Sequence, residues 1–199
     1  MSLFRPIAIA TSLLVLNLVS SGFANATPLE YTIGTKLSRV TFGIGHQGFI
    51  ESFGTLNISP ATFTFDNDDW SKSSVAVSMP VKMLDMGDAL WNKQIRGDKN
   101  WAKLFNSSTI SFNSKRIERV DTTNGTLIGD LTLAGVTKSV SLKLHVNKIG
   151  LNDVSDKPSI GFTATGTVKR SEFGLDAYED LVGDDLSVKV EIEASVGGD

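Results

Sequence analysis

Leu186-Ser187-Val188-Lys189-Val190-Glu191-Ile192-Glu193-Ala194 places an apolar residue at every second position and a polar residue between each pair. Successive side chains of a strand point to opposite faces, so this stretch reads as a strand with one dry face and one wet face. Ser139 to Asn147 repeats the pattern, with Val140, Leu142, Leu144 and Val146 on one side and Ser141, Lys143 and His145 on the other. His145 is therefore expected to face solvent. Working outward, further strands are read at Leu29 to Ile33, Arg39 to His46, Phe53 to Ile58, Ala61 to Phe65, Val75 to Met79, Thr109 to Ile117, Thr126 to Leu133 and Ile160 to Val168. Clusters of Gly, Asn and Asp separate them, as at Asp121-Thr122-Thr123-Asn124-Gly125. About ten short strands that each need one dry side predict an all-β chain, either a sandwich or a sheet closed on itself.

One segment breaks the alternation. From Asp85 to Phe105 the large apolar residues fall at helical spacing, Trp91 with Ile95 and Trp101 with Leu104 and Phe105. Asp88 and Asp98 stand where N-caps belong, and Gly97 separates two short helices. A helical insert carrying two tryptophans suits a lid over the open end of a barrel, where apolar rim residues would otherwise be wet.

The first 26 of the 199 residues read as a secretory leader, with Arg5 as the positive start, Ile7 to Val19 as the apolar stretch and Ala24-Asn25-Ala26 as the cleavage site. The expected exported chain is a single domain over residues 27–199. The sequence holds 19 Lys and Arg against 22 Asp and Glu, and the leader removes only Arg5 from that balance. A mildly acidic chain without a basic run gains nothing from counterion release, which argues against nucleic acid as a partner. Beyond the leader no apolar run approaches the roughly 18 residues that span a bilayer. There is no cysteine, so the exported chain is held by its own core rather than by disulfides.

Catalytic chemistry finds few candidates. With no cysteine and two histidines, thiolate or zinc chemistry lacks ligands, and no Gly-x-Ser-x-Gly elbow is present. Asp66-Asn67-Asp68-Asp69 resembles half of a calcium loop but lacks the glycine at the sixth position and the distal glutamate, so it reads as a solvated turn before Ser73. No metal site and no cofactor is expected. His46 shares a face with Val40, Phe42 and Ile44, which makes it either a rim histidine packed against the lid or a hydrogen-bonding group for a ligand's polar end. Phe42, Phe53, Phe63, Val77, Phe112, Leu131, Leu142, Leu144 and Phe162 are assigned to the dry faces. A barrel of eight strands can fill itself with such side chains or hold one elongated ligand, and periodicity does not separate the two.

Gly129-Asp130-Leu131-Thr132-Leu133-Ala134-Gly135-Val136-Thr137-Lys138 and Lys169-Arg170-Ser171-Glu172-Phe173-Gly174-Leu175 go beyond a generic strand-turn pattern. With Val40-Thr41-Phe42-Gly43-Ile44-Gly45-His46 and Phe53-Gly54-Thr55-Leu56, they resemble the YceI-like family of exported bacterial lipid-binding proteins, over about Tyr31 to Ala194. The resemblance implies a lipocalin-like antiparallel barrel of about eight strands, a periplasmic location and an apolar interior that takes a long isoprenoid chain, polyprenyl or quinone-type, without catalysis. Two segments depart from the family pattern. Asp85 to Arg96 replaces an Asp/His-rich helix, and Ser108-Thr109 stands where many relatives have Tyr-Pro.

The expected ligand contacts are the dry-face residues above, Phe63 excepted, with Ile44, His46, Trp91, Trp101, Arg170 and Phe173. Arg170 has two credible tasks: tying carbonyls and a carboxylate across the barrel end, or meeting the polar head of a ligand. Two other functions compete with a carrier: an enzyme acting on a small amphiphile with His46 as acid and base, and a filled barrel acting through its surface. A homodimer is also compatible with the sequence.

Overall fold

The computed structural model describes residues 28–198, and the expected leader lies outside them. Ten antiparallel strands form one sheet: β1 Leu29–Ile33, β2 Arg39–His46, β3 Ile50–Asn57, β4 Thr62–Phe65, β5 Ser74–Pro80, β6 Thr109–Arg119, β7 Asn124–Leu133, β8 Val136–Asn152, β9 Lys157–Lys169 and β10 Val182–Ser195. The ten expected strands are all present, most of them longer than their hydrophobic runs because the polar ends still pair.

The ring closes through β10. Its outer edge carries β2 over Val182 to Glu191 and then β1, where Ala194 opposes Ile33 and Ser195 opposes Thr32. β1 and β2 thus act as halves of one long strand, and β4 and β3 pair with them in the same way. The result is an eight-membered closed barrel, which leaves no free edge where it closes. At the break between β1 and β2 the buried Ser38 hydroxyl donates to the Glu193 carbonyl (3.1 Å) and accepts from the Glu193 N–H (3.0 Å). The side chain supplies the ladder bonds that the interrupted backbone cannot.

Between β3 and β5 the sheet splays, and residues 81–106 enter the gap. Thr55 and Asp85 exchange backbone bonds of 2.7 and 3.0 Å, after which the chain runs into α1 (Ala89–Gly97), a 3-10 turn (Lys99–Trp101) and α2 (Ala102–Asn106). Asp88 caps α1 through the Trp91 N–H (2.8 Å), and Asp98 caps the 3-10 turn through the Asn100 N–H (2.9 Å). No described helix is long and apolar enough to cross a membrane.

The two sequence signatures are both left-handed turns. Ala134 and Gly135 (φ 50° and 79°) form the two-residue hairpin between β7 and β8, the geometry whose twist matches the flanking strands. Gly174 (φ 67°) ends the 3-10 turn Ser171–Phe173 that follows β9.

The far end of the barrel is stoppered by aromatics. Phe65 stands 5.5 Å from Trp70 and 5.1 Å from Phe162, and Phe63 lies 5.5 Å from Tyr31. Trp70 fits because Gly125 faces it, where a Cβ would come within 2.7 Å of both the indole and the Glu118 carbonyl. Asp66 corrects the expectation of a wholly solvated turn. It is buried, and one carboxylate oxygen accepts the N–H groups of Asp68 and Asp69 at 2.9 Å, so its side chain organises the approach to Trp70.

Candidate functional site

The barrel is hollow. A cavity of about 630 Å³ runs through it, within the range of about 300–1,000 Å³ common for small-molecule sites. Its walls follow from the strand alternation: Phe42 and Ile44 from β2, Val77 from β5, Phe112 from β6, Leu131 from β7, Leu142 and Leu144 from β8 and Phe162 from β9. Leu186, Val188, Val190 and Ile192 complete the wall. Those four face inward yet are only half-buried, because across the barrel they meet space instead of side chains.

The cavity's charged and titratable lining residues, His46, Asp98, Arg170 and Tyr178, gather at the lid end. That follows from topology: His46 ends β2, Arg170 follows β9, Tyr178 precedes β10, and Asp98 lies in the insert. Trp91 and Trp101 also line the cavity here, as expected of a lid. Trp101 lies between Tyr178, with ring centroids 6.3 Å apart, and the Arg170 guanidinium, 5.8 Å from its ring. His46 is exposed at the rim, and no carboxylate is hydrogen-bonded to it among the described residues.

Arg170 is 2% exposed. Its Nε donates to the Gly183 carbonyl and one Nη to the Val182 carbonyl, both at 2.8 Å, while the other Nη donates to the Leu175 carbonyl. It ties carbonyls across the barrel end, and among the described residues no carboxylate pairs with it. Its remaining surface forms part of the cavity wall.

Two expected contacts fall elsewhere. Phe53 is 58% exposed on the outer face of β3, beside Glu51 and Thr55, because strand parity turns Ser52 and Leu56 inward instead. Phe173 is fully buried but lies behind the wall, under the turn that presents Arg170, with its carbonyl accepting from Lys103 Nζ at 2.8 Å. Conversely, alternation marks the inward residues of β10 only as a dry face, and the structure adds them to the cavity wall. Tyr178 and Gln94 carry no sequence signal, and Asp98 is legible only as a cap, since folding alone brings the three to the cavity.

The lid is held by polar ties more than by burial. None of the α1 residues is buried, whereas Leu104 of α2 is. Arg96 donates to the Leu84 carbonyl at 2.6 Å, and the Tyr178 hydroxyl donates to Asp98 at 2.6 Å. The Tyr178 hydroxyl, with the Asn100 backbone N–H, holds the Asp98 carboxyl below its ordinary range, and the same carboxylate pushes the Tyr178 hydroxyl up. A carboxyl depressed in the folded state stabilises above its unfolded pKa of about 4 and loses that contribution as pH falls through the lower folded value. Opening of the lid, followed by stopped-flow tryptophan fluorescence after a pH jump, is therefore expected to accelerate below about pH 4. Tyr178→Phe should open faster at neutral pH and lose most of that pH dependence; a variant with wild-type kinetics would remove the latch.

The comparisons with known proteins agree with this architecture. A family model described as a YceI-like domain matches residues 31–194. The UPF0312 protein of Serratia proteamaculans is 28% identical over 182 residues, covering 88% of this chain and 90% of its own. Among solved structures, Burkholderia cenocepacia BcnA is similar with a TM-score of 0.70 and 21% identity, over 82% of this chain and 99% of its own. A polyisoprenoid binding domain from Saccharophagus degradans, implicated in plant cell wall breakdown, is similar with a TM-score of 0.57 and 12% identity, over 84% of this chain and 99% of its own. The matched span runs from Tyr31 within β1 to Ala194 within β10 and so takes in all or most of every strand of the hollow barrel: the chain belongs to the YceI-like family.

Proposed function

We propose that this protein is a periplasmic carrier that shelters the chain of an isoprenoid lipid, polyprenyl or quinone-type, inside its barrel. The observation that carries the reading is the unfilled apolar interior, with Leu186, Val188, Val190 and Ile192 facing space. Burying a hydrocarbon there yields about 0.8 kcal/mol per CH2-sized group, so an apolar channel suffices for affinity and no reacting group is needed. The polyisoprenoid-binding neighbour supports the same ligand class, and the leader expected at residues 1–26 supports export. Among the described residues no carboxylate is hydrogen-bonded to His46, so the acid–base alternative has no pair in place there.

Native mass spectrometry of freshly purified protein, followed by lipid extraction, tests the reading. A co-purifying prenyl chain supports it; an empty protein that also fails to bind added geranylgeraniol overturns it. A folded Trp91→Ala, Trp101→Ala double variant should bind geranylgeraniol about tenfold or more weakly, since it removes two large apolar contacts, while keeping its β circular dichroism. Unchanged affinity would move the entrance away from the lid.

A further inference from the structure

The lid end carries apolar side chains that the cavity does not use. Phe49 at the tip between β2 and β3 is 83% exposed, Ile50 beside it is exposed, and Leu90 in the first turn of α1 is 72% exposed. None of the three lines the cavity, yet each adjoins a residue that does. The Phe49 N–H donates to the His46 carbonyl at 3.0 Å, Ile50 opposes His46 across the hairpin, and Leu90 precedes Trp91. Leu181, which lines the cavity and is itself exposed, accepts the Gln47 N–H at 2.8 Å on the neighbouring lip. Exposed apolar side chains thus stand directly beside residues that line the mouth of the cavity.

Charge is distributed unevenly around this mouth. From Phe42 to Ile50 there is no Lys, Arg, Asp or Glu, and α1 carries Lys93 and Arg96 with no acidic residue. The adjoining lip, between β9 and β10, carries the exposed Glu179 and Asp180 just before Leu181, so acidic residues border this face on one side. Exposed aromatic and aliphatic tips beside a short basic helix without acids match the chemistry of a phospholipid surface, which accepts apolar side chains below its headgroups and attracts cations to its phosphates.

We propose that the β2–β3 tip and α1 together form a docking face for a bilayer containing anionic phospholipid. Phe49, Ile50 and Leu90 enter the headgroup region, and Lys93 and Arg96 meet the phosphates. The mouth then opens onto the acyl layer, so a prenyl chain passes between membrane and barrel without crossing water. This role rests on the carrier reading above, because only an apolar cargo requires such a passage.

The test is flotation of the purified exported protein with phosphatidylcholine vesicles, with and without phosphatidylglycerol. Geranylgeraniol binding is measured in parallel in vesicle-free buffer. Wild type should float with the mixed vesicles and less with phosphatidylcholine alone. Phe49→Ser with Leu90→Ser should lower vesicle binding by about tenfold or more and slow prenyl transfer from vesicles, while leaving geranylgeraniol affinity unchanged. Lys93→Glu, on the exposed side of α1, should weaken binding to the anionic vesicles alone and keeps the test decisive if the double variant fails to fold. Wild type that does not float, or variants that float like wild type, overturn the docking face. So does sedimentation velocity that finds a dimer which the double variant dissociates, because a second copy then covers the patch. Vesicle binding that depends on these residues in a protein unable to bind geranylgeraniol would preserve the docking face and overturn the isoprenoid reading instead.

Discussion

Val188→Phe should abolish prenyl binding while leaving the melting temperature of the empty protein unchanged or slightly raised. In a packed core, adding methylenes forces neighbours off their rotamers and costs about 1–3 kcal/mol. Val188 sits midway along β10, opposite Gly166 of β9 and Phe42 of β2, and its side chain points into the cavity. The larger ring enters space already enclosed by protein and gains apolar contact there. The ligand loses that space. Displacing one five-carbon prenyl unit at about 0.8 kcal/mol per CH2-sized group removes about 4 kcal/mol, roughly a thousandfold in affinity. Thermal melting followed by circular dichroism and titration with geranylgeraniol give the two numbers. A melting loss of the overpacking size would mean that the interior is collapsed in solution, and unchanged affinity would place the lipid elsewhere.

That experiment addresses what periodicity could not reveal. Alternation tells which way Val188, Val190 and Ile192 point, because the side-chain period of a strand is two. It carries no information about the distance to the wall they face, which depends on how ten strands close into a ring of eight. That closure rests on long-range pairing: residues 39–46 and 32–33 both find the edge of β10 more than a hundred residues away, with Ser38 bridging the interruption. The sequence shows two short strands there and gives no sign that they continue one another.

Phe53 is a different case, because its placement was legible. Phe53 and Leu56 are three residues apart, so a strand cannot present both on one face, and Leu56 continues the inward row with Gly54 and Ser52. Hydrophobicity alone assigned Phe53 to the interior, whereas parity assigns it to the outside. The lid was readable for the opposite reason: its helical spacing and its two caps at Asp88 and Asp98 are local features, and both caps form. The latch from Asp98 to Tyr178 spans eighty positions and has no local trace.

Arg170→Met should lower the melting temperature by about 6–12 °C, which corresponds to about 3 kcal/mol in a domain of this size. Arg170 gives one bond to each of three carbonyls on the chain that leaves β9 and re-enters β10: Leu175, Val182 and Gly183. Methionine retains much of the apolar stem, so the packing change is small and the loss falls on hydrogen bonding. Bonds from a charged donor contribute about 1.5–3 kcal/mol each. Two effects reduce the total below three such bonds. Removing a buried guanidinium recovers its desolvation cost, and the carbonyls nearest the half-buried start of β10 can turn to water. The turn itself should persist, because the Arg170 and Ser171 backbone N–H groups still reach Asp184, at the carbonyl and the carboxylate, both at 2.9 Å. Arg170→Lys should restore little, since one ammonium cannot span three carbonyls. The ligand-directed role predicts a different result, near-normal melting with weaker binding of polar-headed prenyl lipids and unchanged binding of bare hydrocarbon. A guanidinium already committed to three carbonyls has two N–H groups left for a head group, so the stability loss is the larger effect and should appear in the empty protein. Melting at the wild-type temperature would show that these three bonds form without holding the barrel end together.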